Sequence, residues 1–302
     1  MQRTSVDSSR VIRVVPDDAE PHSIDHQLDE RWLLAFAASI DDTRSEVFDL
    51  DHPDGIVGHP VFPVCIEWPL IEQGAPGIEL SLETLRLGLH ASHRITTFAP
   101  LRPGARVHTI ARAHIAQNTK RAALVATAFH TYCADRGTLL VSSYVYTLYP
   151  GVRVVGPERR PQNSGGPALT PIISREPVGT FVVGPTDSIV YTECARIWNP
   201  IHTDSRVARA SGLPGTVYHG TATLARAVTS ILTSSVIQPN SMITDISCRF
   251  SAPVYVGDSL TVWASNATDG VCFDVRKRDG HRVISDGQLT CAPTPSPAKG
   301  EG

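Results

Sequence analysis

The stretch over residues 191–204, YTECARIWNPIHTD, ends in Asn199, Pro200 and then His202 and Asp204, separated by a single threonine. Imidazole and carboxylate in one proline-fixed turn are the residue types that a proton-transfer site uses. Further along, His219 and Gly220 open an almost uncharged segment, HGTATLARAVTSIL, whose pattern predicts a helix over 219–232. The first N–H groups of a helix have no partner within it and lie at the positive end of its dipole, so the Gly220 N–H is suited to steadying an anion. Asp204 stands immediately before a short helical segment that begins near Ser205, where a carboxylate caps a helix more naturally than it works as a base. Glu193 lies four residues before Ile197, and in a continuous helix the two face the same side.

The elements that must hold these residues are repeated. Residues 149–179 carry prolines at 150, 157, 161, 167, 171 and 177 and a Ser-Gly-Gly, the composition of a linker between two units. On one side, Phe98-Ala-Pro-Leu-Arg-Pro-Gly104 resembles Phe250-Ser-Ala-Pro-Val-Tyr-Val-Gly257 on the other, with Pro100 and Gly104 matched by Pro253 and Gly257. Strand-like segments rich in Val, Thr, Tyr and Phe follow each motif, over 106–117, 121–133 and 138–148, then over 259–266, 270–277 and 282–291. One apolar helical segment precedes each set, over 62–72 and 219–232. A helix apolar on all faces is buried on all faces. The expected fold is therefore α+β: two tandem units, each an antiparallel sheet wrapped around a central helix. The expected boundaries are a flexible N-terminus over 1–24, a first unit over 25–149, a linker over 150–178, a second unit over 179–291 and a flexible tail over 292–302.

Bulk properties bound the function. The 302 residues suit two units of about 120 to 150 residues each. A net charge of −3, from 27 basic and 30 acidic residues spread along the chain, points away from nucleic acid and anionic membranes. No apolar run approaches the ~18 residues of a spanning helix. The six cysteines, at 65, 133, 194, 248, 272 and 291, are scattered singly and read as reduced thiols of a cytoplasmic protein. His90 and His93 form an H-x-x-H pair, a weak match to zinc-ligand spacing.

Taken in order, Trp198-Asn-Pro-Ile-His202-Thr-Asp204, Val207-Ala208, Gly212 and Val217-Tyr-His-Gly220 resemble the signature of the MaoC-like (R)-specific enoyl-thioester hydratases and dehydratases, which have the hot dog fold. That signature runs Gly-Asp-x-Asn-Pro-x-His-x-Asp, then a Gly, then His-Gly at the start of the hot dog helix. The resemblance spans about 100 residues of the second half and includes the motif ending at Gly257-Asp258. The first half resembles the degenerate repeat of double hot dog members, with Pro60-Val-Phe-Pro63 in place of Tyr-His-Gly and a histidine-free segment over 40–49 in place of the signature.

The resemblance implies a reaction, syn addition of water across the double bond of a trans-2-enoyl thioester or its reverse. It implies coenzyme A or an acyl carrier protein's phosphopantetheine as carrier, no tightly bound cofactor and no metal. It assigns His202 as one half of an acid-base pair, the Gly220 N–H as oxyanion donor and Asn199 as a loop-holding residue that helps to polarise water, with His219 a structural neighbour. In double hot dog relatives the larger first-half cavity accepts long, branched or polycyclic acyl chains. Arg196 and Arg226 are candidates for the carrier phosphates, and assembly as a homodimer is left open.

One position departs from the family. The aspartate expected two residues before the asparagine is Ile197, between Arg196 and Trp198. Three readings follow. A substitute group, Glu193, Asp204, Tyr218 or the pair Asp41 and Asp42, supplies the missing function. Alternatively, His202 and the oxyanion donor suffice for a related reaction, such as isomerisation, addition of another nucleophile or thioester hydrolysis. In the third reading the protein binds acyl thioesters without turnover.

Overall fold

The repeated Pro/Gly motif marks a repeated turn. In the computed structural model, which describes residues 10–15, 19–160, 174–238, 241–268 and 270–293, Gly104 and Gly257 adopt φ values of +79° and +89°, where glycine has no Cβ penalty. The Gly104 N–H donates to the Leu28 carbonyl and the Leu28 N–H to Ala105, while Gly257 and Val183, then Val183 and Asp258, repeat that exchange in the second half at 2.8–3.0 Å. Each turn thereby ties the start of a three-strand meander to the end of a strand far upstream.

The first half comprises β1 (His22–Gln27), α1 (Glu30–Ser39), α2 (Ser45–Phe48), α3 (Pro63–Glu72), β2 (Leu89–Thr97), β3 (Arg106–Asn118), β4 (Ala122–Cys133) and β5 (Leu139–Pro150). The second comprises β6 (Glu176–Val182), α4 (Asp187–Ala195), α5 (Ser205–Ala210), α6 (Gly220–Leu232), β7 (Ser241–Phe250), β8 (Ser259–Ala267), β9 (Gly270–Lys277) and β10 (Arg282–Pro293). The ten strands form one antiparallel sheet in the order β1-β3-β4-β5-β2-β7-β10-β9-β8-β6. Each half uses the same internal order, so the sheet is an approximate two-fold repeat about the β2–β7 junction, where Ile95 pairs with Ile246 and His93 with Cys248.

The tandem α+β arrangement expected from the sequence is present, but the two sheets fuse edge to edge. Fusion leaves neither half with a free edge at the centre. The central helices pack on the inner face, α3 against β1 and β3, α6 against β6 and β8, and one apolar cluster runs through both halves, from Leu33, Phe36 and Ile66 to Tyr191, Leu224 and Ile246. Helices α1 and α4 meet across the repeat, with Phe36 and Tyr191 ring centroids 5.8 Å apart. Neither central helix is wholly apolar: Glu67 of α3 and Arg226 of α6 are buried. Among the described residues no helix is long and apolar enough to cross a membrane.

Three sequence boundaries need correction. Within 1–24, Val11–Val14 pairs with Ile78–Leu80 and with Arg153–Val155, and β1 begins at His22; residues 1–9 and 16–18 lie outside the described residues. Within the expected linker over 150–178, Arg153–Val155 is a strand and β6 begins at Glu176; residues 161–173 lie outside the described set. At the C-terminus β10 extends to Pro293, and 294–302 are not described. At β6 the reason is that an edge strand draws its order from its neighbour's hydrogen bonds, here those of β8.

Candidate active site

The loop after α4 is built by caps. Helix α4 ends with Arg196 in the left-handed region (φ 58°), and the Ile197 N–H returns to the Thr192 carbonyl at 3.0 Å. The turn drives Ile197 inward, where it is buried, and leaves Trp198 exposed. It also separates Glu193 from Ile197: the helix stops between them, Glu193 faces solvent, and the same-side expectation fails. Asn199 then caps a 3-10 turn, Pro200–His202, its side chain accepting from the Ile201 N–H at 3.3 Å. Asp204 caps α5 by accepting from the Arg206 N–H at 2.8 Å and pairs with the Arg206 guanidinium.

His202 emerges from this turn with a defined tautomer. Its Nδ1 lies 2.7 Å from the Val217 carbonyl oxygen, an acceptor only, so Nδ1 carries the hydrogen and Nε2 holds the lone pair. Among the described residues none hydrogen-bonds that Nε2. Burial lowers the His202 pKa to about 4, only partly offset by the Val217 carbonyl, so the ring is neutral at physiological pH. His219 lies flat against it, with ring centroids 3.6 Å apart at an interplanar angle of 24°, and its Nε2 is 3.2 Å from the Thr192 hydroxyl. Burial, then the neighbouring His202, hold His219 well below its usual pKa. The site therefore contains two stacked, neutral imidazoles. Sequence reasoning gave His219 only a structural part and did not find Thr192 or the Val217 carbonyl, since these contacts join segments far apart in the chain.

Gly220 follows His219 as the first residue of α6. A Cβ built there would lie 3.1 Å from the Phe250 ring, so a larger residue requires that ring to shift by a few tenths of an ångström. The two halves differ here. In α3 the equivalent first position is Pro63, which has no N–H to offer. The counterpart of the histidine turn is also occupied by its own pairs. Asp42 is buried and bonded by Arg44, His59 Nε2 is 3.8 Å from Asp42, and His59 also contacts the Val61 N–H and Thr229. Gly220→Ala is expected to lower kcat by about 10²-fold through displacement of the helix start, read by steady-state kinetics beside a melting curve; an unchanged kcat would remove Gly220 from the site.

Three of the proposed stand-ins for the missing carboxylate, Asp41, Asp42 and Asp204, are held by arginines. Asp41 pairs with Arg226, which also holds Asp187 at 2.9 Å. Asp42 is held by Arg44, and Asp204 by Arg206. Tyr218 is buried, and burial raises its pKa above the ordinary tyrosine value. Arg226 is thus an interior ion-pair residue, not a phosphate ligand: with two carboxylates on its guanidinium and most of its side chain covered, its charge is already compensated. Arg196 remains accessible, its guanidinium 4.0 Å above the Trp32 ring.

Residues 170–284 match the MaoC like domain family. Over 220 residues the chain is 26% identical to the enoyl-CoA hydratase ChsH3 of Mycobacterium tuberculosis, covering 72% of this chain and 74% of that protein. Among solved structures, a MaoC-like dehydratase from Phytophthora capsici superposes with a TM-score of 0.77 at 17% identity, over 96% of this chain and 98% of that one. A conserved Mycobacterium tuberculosis protein with a double hot dog fold superposes with a TM-score of 0.59 at 15% identity, over 92% and 97%. Residues 170–284 thus carry a MaoC like domain, within a chain whose overall fold is similar to that of double hot dog proteins.

Proposed function

We propose that this protein adds water to, or removes it from, the 2,3-position of an acyl thioester carried on coenzyme A or on the phosphopantetheine arm of a carrier protein. The observation that carries the reading is the fixed tautomer of His202, with a free Nε2 lone pair, in the same turn system as the Gly220 helix start. In the hydration direction Nε2 takes a proton from water as the water oxygen bonds to the β-carbon. The π electrons pass to the thioester oxygen, and the Gly220 N–H steadies that enolate. The imidazolium then returns its proton to the α-carbon on the same face. One water is consumed, and His202 ends neutral.

In this reading His202 serves both proton transfers. Ile197 offers no proton, and the carboxylates Asp41, Asp42 and Asp204 are held by arginines. Arg196, over Trp32, is the candidate for meeting the carrier phosphates. A continuous assay separates the rivals: a hydratase removes the enoyl absorbance without releasing thiol, a thioesterase releases thiol, and a binding protein does neither.

The pH profile tests the base. His202 must be neutral to accept a proton, and its pKa is lowered to about 4, so protonation removes activity only in strong acid. The expected kcat/KM is level from neutral pH down to about 5, with a limb near 4. A limb near 6.5, the free-imidazole value, would contradict the buried setting described here.

A further inference from the structure

Behind Phe250, the residue packed against Gly220, lies a buried polar cluster that the hydration chemistry does not use. The His90 ring is 4.6 Å from the Phe250 ring and 5.2 Å from that of His93. Residues three apart on a regular strand face opposite sides. Here a register shift between His90 and Ser92 in the β2–β5 pairing brings both imidazoles together, the kind of re-aiming that bulges produce beside functional sites. Across from them Glu67 projects from α3, fully buried, with the Ser143 hydroxyl donating to its Oε1 at 2.5 Å. Its Oε2 lies 3.8 Å from His93 Nε2, too far for a hydrogen bond and close enough for one oxygen atom to bridge the two.

Four atoms of this cluster, Glu67 Oε2, His93 Nδ1 and Nε2, and His90 Nε2, are sealed from solvent without a hydrogen-bond partner among the described residues. Native proteins rarely leave buried polar atoms unpaired, and such groups call for a water, an ion or a ligand. The described side chains do not converge as a cation site. Burial pushes the Glu67 carboxyl up to about 8 and holds both histidines down, His90 to about 4, so at neutral pH the cluster is uncharged. It offers hydrogen-bond donors and acceptors to a neutral group and no counter-charge to an ionised one.

We propose that Glu67, His90 and His93 form a polar terminus for the acyl group, selecting thioesters whose chain carries a neutral oxygen, a hydroxyl or a ketone, over purely hydrocarbon chains. The inference rests on the acyl-thioester reading of the His202 site and gives its substrate class. In this proposal the acyl oxygen sits beside the Glu67 Oε2 and His93 Nε2 atoms, within hydrogen-bond reach of both, with the Phe250 ring between the cluster and the Gly220 turn. A ketone would accept from the protonated carboxyl and an imidazole N–H, whereas a hydroxyl would also donate to the imidazole lone pair.

The test uses the full chain and two series of saturated acyl-coenzyme A thioesters of equal length, one unsubstituted and one with a single hydroxyl or keto group moved along the chain, with affinities read by calorimetry. The expected result is at least tenfold tighter binding for one oxygen position, with the ratio to the unsubstituted thioester collapsing toward one in Glu67→Leu. The hydroxyl and keto arms show which oxygen is preferred. Equal affinities across both series in the native protein overturn the inference whether or not that variant folds. Turnover of the matching enoyl thioesters, measured separately, tests the hydratase reading, so binding with selectivity but no turnover would sink that reading alone. Failure of every thioester to bind overturns both.

Discussion

Replacing His202 by alanine is expected to lower kcat/KM on a trans-2-enoyl thioester by about 10²–10⁴-fold, the contribution typical of an acid-base group. The upper end of that range applies if, as proposed, His202 serves both proton transfers, since Asp41, Asp42 and Asp204 are held by arginines. The structural consequence is small by comparison. The side chain makes one hydrogen bond, to the Val217 carbonyl, worth roughly 1 kcal/mol, and stacks on His219. A melting temperature within about 2–4 °C of the native protein therefore accompanies the loss of rate. A folded His202→Ala variant with full activity would remove the residue from the reaction, and a variant that fails to fold would show that the imidazole holds the turn.

Ile197→Asp is expected to act in the opposite direction, raising hydration by about 10² or more. The resemblance read from the sequence places the MaoC-like aspartate at Ile197, whose backbone is already fixed by the hydrogen bond to Thr192. A carboxylate there would stand beside the stacked His202 and His219 and favour their protonated forms, so the acid limb of the pH profile should move upward together with the rate. The substitution also has a cost, because it removes a buried side chain worth about 1.5–3 kcal/mol and places a carboxylate in its stead. Stability and activity are therefore separable readouts: a lower melting temperature with higher kcat is the predicted pair. A folded variant with no gain would mean that the pocket around Ile197 is shaped for a reaction other than water addition.

The parts of the fold that sequence could convey are those with strong local signals. The meanders over β3 to β5 and β8 to β10 carry dense Val, Thr, Tyr and Phe, and the two central helices are long apolar runs, so their positions follow from pattern. Gly104 and Gly257 could be matched because a left-handed turn demands glycine at both places. The edge strands β1 and β6 carried no such signal. The sequence HSIDHQ of β1 is half exposed, and its order derives from pairing with β3.

The site divides in the same way. His202, Gly220 and the capping residues Asn199 and Asp204 lie in one short stretch and could be read together. The fates of Arg226, Asp41 and Asp187 could not, because their ion pairs join α6 to segments far away in the chain. The H-x-x-H of His90 and His93 resembled a metal motif at the level of spacing. Only the bulge in β2 and the burial of Glu67 give the pair its setting.

The most direct test of the central claim is mass-spectrometric incubation of the purified protein with trans-2-enoyl and 3-hydroxyacyl coenzyme A thioesters, from short to polycyclic, beside the His202→Ala variant. The account predicts gain or loss of one water on at least one thioester with the native protein and none with the variant. Binding of the thioesters without any change in mass, or a water exchange that persists in His202→Ala, would contradict it.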